Sequence, residues 1–497
     1  MNSPSLKPES RPVAWTIASS DCSGGAGIQA DLITMNRLGT YGCSVLTGIT
    51  VQNTITFSQI EPVATDLIKH QFDTLMDDLP PVAIKTGMFG SAEAMNLIAV
   101  KLHGTRIPII CDPVIHATMG SVIIDVQARV NLIHNLMPLT RMITPNTHEA
   151  ALLTNVMIKN TDDMVKAAHI LLNKGAQSVL MKGGHRQGSH SIDYWTNGTQ
   201  HAWLSSPRID TRNQHGTGCT LSAAITALVA QGYSDLEAVV IAKAYVNQGL
   251  IRAGQIGQGR GPLFHGGWPD HPEYLPCLFD NPDERFTAEP FPSLDIPLPD
   301  VYPIVDRAIW IERLAKNGAR IIQLRVKDLS GSTLENEVAQ AINLGRKFDV
   351  RVFINDHWQL ALRNQAYGVH LGQDDLAGTD FTALRKTGVR LGLSTHNVIE
   401  MARSKFYRPS YTAIGTLFTS PSKTFAHHGL GLEKFRLLRG LCEKPVVAIG
   451  GITREKSAEV FRAGADLVSV ISDITAAPDP DNQMRAWRSQ LSDLSLT

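Results

Sequence analysis

Four short motifs in the first half of the sequence have residue types and spacings that suit phosphate chemistry. His215-Gly216-Thr217-Gly218-Cys219-Thr220 opens an Ala-rich stretch. With Gly216 and Gly218 at a helix start, free N–H groups form a cradle for a transferring phosphoryl group. Cys219 falls in the first turn, where the helix dipole favours its thiolate. The bland reading, a small buried packing residue, is weakened by the glycines around it. Thr144-Pro145-Asn146-Thr147-His148-Glu149 follows a strand-like run. Its Asn146 and Glu149 can share a helical face and hold a hydrated Mg2+ beside nucleotide phosphates, or they can simply cap a helix. Met181-Lys182-Gly183-Gly184-His185 supplies a cation, Lys182, for phosphate oxygens. Ser23-Gly24-Gly25-Ala26-Gly27 is a glycine turn that lacks the Lys-Ser/Thr of a P-loop and is followed by no dinucleotide fingerprint.

The second half concentrates polar residues at the ends of apolar runs. Gln323, Arg325 and Lys327 alternate at the end of one run, and Asn355-Asp356 close the next. His370-Leu371-Gly372-Gln373-Asp374-Asp375, Ser394-Thr395-His396, Thr419 to Lys423 and Gly450-Gly451 end four more. Packing alone would put Val, Ile and Leu at these positions.

The elements that must carry these tips are regular. Eight β-rich runs, Val301–Asp306, Ile321–Lys327, Arg351–Asp356, Gly368–Gln373, Arg390–Thr395, Tyr411–Gly415, Pro445–Gly451 and Leu467–Ser472, alternate with amphipathic segments such as Leu334–Lys347. That pattern predicts a closed (β/α)8 TIM barrel, whose chemistry sits at the carboxyl ends of its strands. An open doubly wound sheet is the alternative. The first half predicts a doubly wound α/β domain with six strands, near 14–19, 44–50, 83–87, 107–112, 142–145 and 179–183. Between the halves, prolines at 269, 272, 276, 282, 290, 292, 297 and 299 mark a connector. The expected domains are therefore 13–265 and 300–490, with a Pro-rich linker over 266–299.

With 46 basic and 46 acidic residues the formal net charge is zero, which leaves no global field for nucleic acid or anionic lipid. The longest apolar stretches, such as Leu221 to Ala230, are too short to span a bilayer. Six scattered cysteines form no C-x-x-C pair and read as reduced thiols, so a soluble cytoplasmic enzyme is expected. A homo-oligomer is left open.

Across roughly 13–265 the chain resembles the hydroxymethylpyrimidine (phosphate) kinases of the ribokinase-like superfamily. The match rests on 21–31 (DCSGGAGIQAD), Val51-Gln52-Asn53-Thr54, Lys85-Thr86-Gly87-Met88, Asp112-Pro113-Val114, Thr144-Pro145-Asn146 and the motifs around Lys182 and Cys219. The resemblance implies that Gln52 binds the aminopyrimidine edge, that Met88 lies near the ring, and that Cys219 stands where most of the superfamily has an aspartate base. It implies ATP as co-substrate and two successive phosphorylations of 4-amino-5-hydroxymethyl-2-methylpyrimidine. Cys22, where the family often has proline, and Ala117-Thr118-Met119-Gly120 depart from the pattern.

From 300 to about 476 the chain is similar to thiamine phosphate synthases, through Gln323-Leu324-Arg325-Val326-Lys327-Asp328, Phe353-Ile354-Asn355-Asp356, the His370–Asp375 run, Ser394, Lys423 and Gly450-Gly451. That family joins the pyrimidine diphosphate to a thiazole phosphate and releases pyrophosphate. The resemblance implies Mg2+ on Asp356 and Asp375, and leaving-charge stabilisation by Arg325, Lys327 and Lys423. It further implies pyrimidine and diphosphate positioning by Gln323, Asn355 and Ser394, and thiazole phosphate binding by Ser420, Ser422 and Gly451. Gly451, Ile471 and Ser472 also fall where barrels bind phosphate. The competing readings are a pyridoxal-type kinase in front, and a thiazole-isomerising or metabolite-sensing barrel behind.

Overall fold

β-branched and apolar runs form parallel strands, and the amphipathic stretches between them form the helices that cover the strands. The computed structural model describes residues 11–115, 126–184, 188–282, 289–419, 429–443 and 445–494. They fall into two compact units whose boundary lies within the Pro-rich stretch. Among the described residues no helix is long and apolar enough to cross a membrane.

The first unit is built on one ten-stranded sheet. Its strands are β1 (Val13–Asp21), β2 (Tyr41–Gln52), β3 (Phe57–Pro62), β4 (Ala83–Thr86), β5 (Ile109–Cys111), β6 (Met142–Ile143), β7 (Val179–Met181), β8 (His190–Thr196), β9 (His201–Pro207) and β10 (Cys277–Phe279). They lie in the order β10-β9-β8-β7-β6-β5-β4-β1-β2-β3. The six expected strands are the parallel ones, β2, β1 and β4 to β7. Because β1 pairs with both β2 and β4, the chain winds away from it in both directions. A crevice at the strands' carboxyl ends follows from that reversal.

The sheet is larger than expected by four antiparallel strands. A signal for β8 and β9 stood in the sequence: Asn197-Gly198 is a hairpin turn pair, and Gly198 has φ of +90° while Asn197 Oδ1 accepts from Gln200 N at 2.7 Å. Strand β10 lies inside the Pro-rich stretch, where the proline-free run between Pro276 and Pro282 pairs with β9 at the sheet edge. The stretch over 266–299 is therefore partly folded onto the first sheet rather than being a plain connector throughout.

The second unit is a closed barrel of eight parallel strands in chain order. They are β11 (Asp300–Val305), β12 (Ile321–Leu324), β13 (Arg351–Asn355), β14 (Gly368–Leu371), β15 (Arg390–Thr395), β16 (Tyr411–Gly415), β17 (Val446–Ile449) and β18 (Leu467–Val470). Pairing of β11 with β18 closes it, which excludes the open-sheet alternative. The lumen is filled by Tyr302, Phe353 and Tyr411, packed edge to face with centroids 5.2 to 6.0 Å apart. Room for these rings comes from Gly368 and Gly392. A Cβ on either would lie 2.2 Å from Phe353 or 2.1 Å from Tyr411.

One placement differs from the sequence expectation. Strand β12 stops at Leu324, so Arg325 and Lys327 stand exposed in the loop above the barrel rather than on a strand face.

Candidate active sites

In the first unit Asp21, at the carboxyl end of β1, ties two glycine loops together. Its Oδ1 accepts from Ser23 N and Oγ, and its Oδ2 from Ala26 N, all within 2.8 Å. His215 Nε2 lies 2.8 Å from the same Oδ2. Burial works to raise the Asp21 carboxyl, but the hydrogen bonds from His215, Ser23 and Gln52 hold it far below the usual range. The loops touch so closely that a Cβ on Gly216, at φ of +78°, would sit 1.9 Å from Gly25 O. Only glycine fits there.

Helix Thr217–Ala230 starts directly after this contact, and its Ala-rich body is almost wholly buried. Its first turn faces Lys182, whose Nζ is 2.9 Å from Asp112 Oδ1. Six of the eight residues expected in this half, Asn146, Glu149, Lys182, Gly216, Gly218 and Cys219, line one cavity of about 580 Å³. The other two stand by β1. The Met88 carbonyl accepts from Ser19 N, Ser19 Oγ and Thr47 Oγ1 at 2.9 to 3.0 Å, and the Gln52 side chain bonds Asp21. Cys22 Sγ donates to Gln52 O at 3.1 Å, so the cysteine fixes the Gln52 backbone where proline was expected.

Two expectations need correction. Asn146 Oδ1 is spent on the N–H groups of His148 and Glu149, and Glu149 returns a bond to Asn146 N. This is a capping box, so the two do not converge as a ligand pair. Glu149 remains chemically relevant, because burial and neighbouring Asp112 push its carboxyl up, with Lys182 opposing. The Cys219 thiol is not poised as a thiolate. Burial pushes it up to about 11, more than Lys85 and a backbone hydrogen bond from Gly27 pull it down.

At the barrel mouth, Lys327 Nζ pairs with Asp356 Oδ2. Asp375 is close enough to Asp356 to share a hydrogen bond, and burial and Asp356 together raise the Asp375 carboxyl. Asp356 itself adopts φ of +62°, which turns it out of β13. Arg325 lines a second cavity of about 380 Å³ with Asp306, Trp310, Ile471 and Thr475. Gly451 has φ of +61°, and a Cβ there would meet Thr419 O at 2.8 Å. Asn355 is the buried last residue of β13, and Ser472 follows β18 at the surface. Ser420, Ser422, Lys423, His185 and 117–120 lie outside the described residues.

Comparison with known proteins agrees with this two-part geometry. The phosphomethylpyrimidine kinase model matches residues 21–264, and the thiamine monophosphate synthase model matches 301–474. The thiamine biosynthetic bifunctional enzyme TH1, chloroplastic, of Arabidopsis thaliana is 32% identical over 488 residues, covering 95% of this chain and 90% of that protein. The chain belongs to the bifunctional thiamine biosynthetic enzymes. Its front half is a hydroxymethylpyrimidine and phosphomethylpyrimidine kinase and its rear half a thiamine-phosphate synthase. The thiamine-phosphate synthase of Klebsiella pneumoniae is 48% identical over 180 residues, 36% of this chain and 85% of that one. The pyridoxal kinase of Staphylococcus aureus in complex with ADP is 34% identical, with a TM-score of 0.50 over 52% of this chain and 95% of that chain. It shares the ribokinase-like fold, but the family match is to the pyrimidine kinases.

In this bifunctional enzyme the barrel site also takes in Tyr302 and Tyr411, which the sequence does not mark as site residues, and gives a definite place to His370, which it marks only as a polar strand tip. His370 Nδ1 is 2.8 Å from Tyr411 Oη and its Nε2 2.8 Å from Ser394 Oγ. Burial holds the imidazole neutral and lowers it to about 4. Because the folded value lies below the unfolded one, near 6.5, the unfolded chain binds the extra proton between these pH values. Stability from His370 is therefore complete above pH 6.5 and is lost as pH falls towards 4. The loss is on the order of 3 kcal/mol. Urea unfolding of the full chain at pH 7.5 and 4.5 should show a smaller pH slope for His370→Gln than for wild type. Equal slopes would contradict the buried neutral ring.

Proposed function

We propose that the kinase half seats the pyrimidine alcohol between Gln52 and Met88, with the ATP phosphates over Gly216 and Gly218. Lys182 neutralises the transferring phosphoryl group, while Asn146 and Glu149 frame the nucleotide side through their capped helix. Phosphoryl transfer is loose and little bond formation precedes departure. The hydroxyl proton can therefore leave late, to an oxygen of the transferred phosphoryl group, while a thiol that stays protonated orients the hydroxyl, and this is the role we give Cys219. The convergence of Lys182, Gly218 and Cys219 on one cavity supports the assignment.

In the barrel, Gln323, Asn355 and Ser394 hold the pyrimidine diphosphate, and Arg325, Lys327 and Lys423 neutralise the charge that builds on the leaving pyrophosphate. Ser420, Ser422, Gly451, Ile471 and Ser472 receive the thiazole phosphate. Asp356 and Asp375 fit Mg2+, since two carboxylates drawn together at the cost of a raised Asp375 form a hard-oxygen donor pair. Bound there, the ion adds positive charge against the diphosphate. The functional domains in this reading are 13–265 and 300–490. All six cysteines are free thiols, which fits a reducing compartment, the cytoplasm in our reading.

The observation that carries this assignment is the Lys327–Asp356–Asp375 cluster at the carboxyl end of the barrel, where diphosphate chemistry needs charge of both signs. A competition assay tests the front half. The aminopyrimidine alcohol should suppress phosphorylation of pyridoxal in the same tube, and the reverse dominance would overturn the Gln52 assignment.

A further inference from the structure

Gln323 and Ser394, both expected at the pyrimidine, are the two ends of one buried chain of hydrogen bonds. Gln323 Nε2 donates to Tyr302 Oη at 3.4 Å, and Tyr302 Oη lies 3.0 Å from Tyr411 Oη. Tyr411 Oη is 2.8 Å from His370 Nδ1, and His370 Nε2 is 2.8 Å from Ser394 Oγ. All three middle residues are buried. The imidazole also stacks on the Tyr411 ring at an interplanar angle of 15°, which fixes its plane. Gln373 Nε2 donates to Ser394 O at 2.7 Å and holds the strand end in place.

Each hydroxyl has one proton to give, and so does a neutral imidazole. The arrangement that leaves no buried hydroxyl proton unpaired has the protons along the chain all pointing the same way. With the Gln323 amide donating, Tyr302 donates to Tyr411, Tyr411 to Nδ1, and Nε2–H to Ser394 Oγ. That leaves the Ser394 hydroxyl proton for a ligand, and leaves Gln323 Oε1 as a free acceptor. Reversing the chain would reverse both ends together.

We propose that the Tyr302–Tyr411–His370 chain fixes Gln323 as acceptor and Ser394 as donor, and so selects a 4-aminopyrimidine over its 4-oxo counterpart. The amino edge presents a donor amine beside an acceptor ring nitrogen, and the oxo edge presents the opposite pair. A site built to pair such an edge rejects the reversed one because its own buried groups are left unpaired. Tyr302, Tyr411 and His370 act here as positioning residues. The proposal rests on the reading of the barrel as the coupling site with Gln323 and Ser394 on the pyrimidine.

The test uses the full chain with Tyr411→Phe and Tyr302→Phe, which cut the chain at different links and keep the rings. Coupling kinetics with the aminopyrimidine diphosphate are measured alongside inhibition by its 4-oxo analogue. Each variant should raise KM about tenfold while kcat stays within about threefold. The amino-over-oxo preference should fall about tenfold in both. An unchanged preference in both variants, with active wild type and unchanged thermal midpoints, would overturn the proposal alone. A wild-type chain that binds the diphosphate but releases no pyrophosphate would overturn the barrel reading on which it rests.

Discussion

Replacing Arg325 with alanine should lower kcat/KM for coupling by roughly two to three orders of magnitude, with kinase turnover in the same chain unchanged. Arg325 lies just past β12, exposed at the barrel mouth and lining the cavity that also contains Ile471. Its charge reaches the buried His370, which it helps keep neutral. Dissociation of the pyrimidine from its diphosphate leaves a ring-stabilised cation and a strongly charged leaving group. A fixed guanidinium gains most when that negative charge has formed, so its loss should fall on kcat rather than on KM. Arg325→Lys keeps the charge without the planar fork and should recover only part of the rate. Steady-state pyrophosphate release at saturating thiazole phosphate reads this directly. A change in KM alone would assign Arg325 to ground-state binding.

Cys219→Ala should reduce both pyrimidine phosphorylations by about two orders of magnitude and leave coupling from supplied diphosphate untouched. Cys219 is held at the start of helix Thr217–Ala230, in the cavity shared with Lys182 and Gly218. Its burial gives the prediction a second arm. With the thiol pushed up to about 11, the wild-type kinase rate should show no ionisation near the ordinary thiol value of about 8.5. An inflection there that disappears in Cys219→Ala would mean that the thiolate, rather than the protonated thiol, is the working form.

Much of this architecture can be read from the chain because the physics is local. Eight apolar runs at short spacing leave few alternatives to a closed barrel, and the polar residues after each run mark the open end. The limit of strand β12 was misread for a clear reason. Val326 is buried although it lies outside the ladder, so the in–out alternation continues two residues past the last paired position. The hairpin of β8 and β9 was masked by polar residues such as Asp193, whose charge is met by Lys243 of a distant helix at 2.6 Å. Neither partner reveals the other in sequence.

The hidden part of the site is tertiary. Tyr302 and Tyr411 read as ordinary strand residues and His370 only as a polar strand tip, because their hydrogen bonds join positions 41 and 109 residues apart. Asn146 and Glu149 show the reverse case. Their three-residue spacing permits both a metal pair and a capping box, and local helix geometry decides for the cap.

The two-step account is tested most directly in one vessel holding the full chain, pyrimidine alcohol, ATP, Mg2+ and thiazole phosphate, followed by mass detection. Wild type should yield thiamine phosphate, Cys219→Ala should stop at the unphosphorylated alcohol, and Arg325→Ala should accumulate the pyrimidine diphosphate. Both variants stalling at the same species, or wild type accumulating the diphosphate without product, would contradict the division of labour between the two halves.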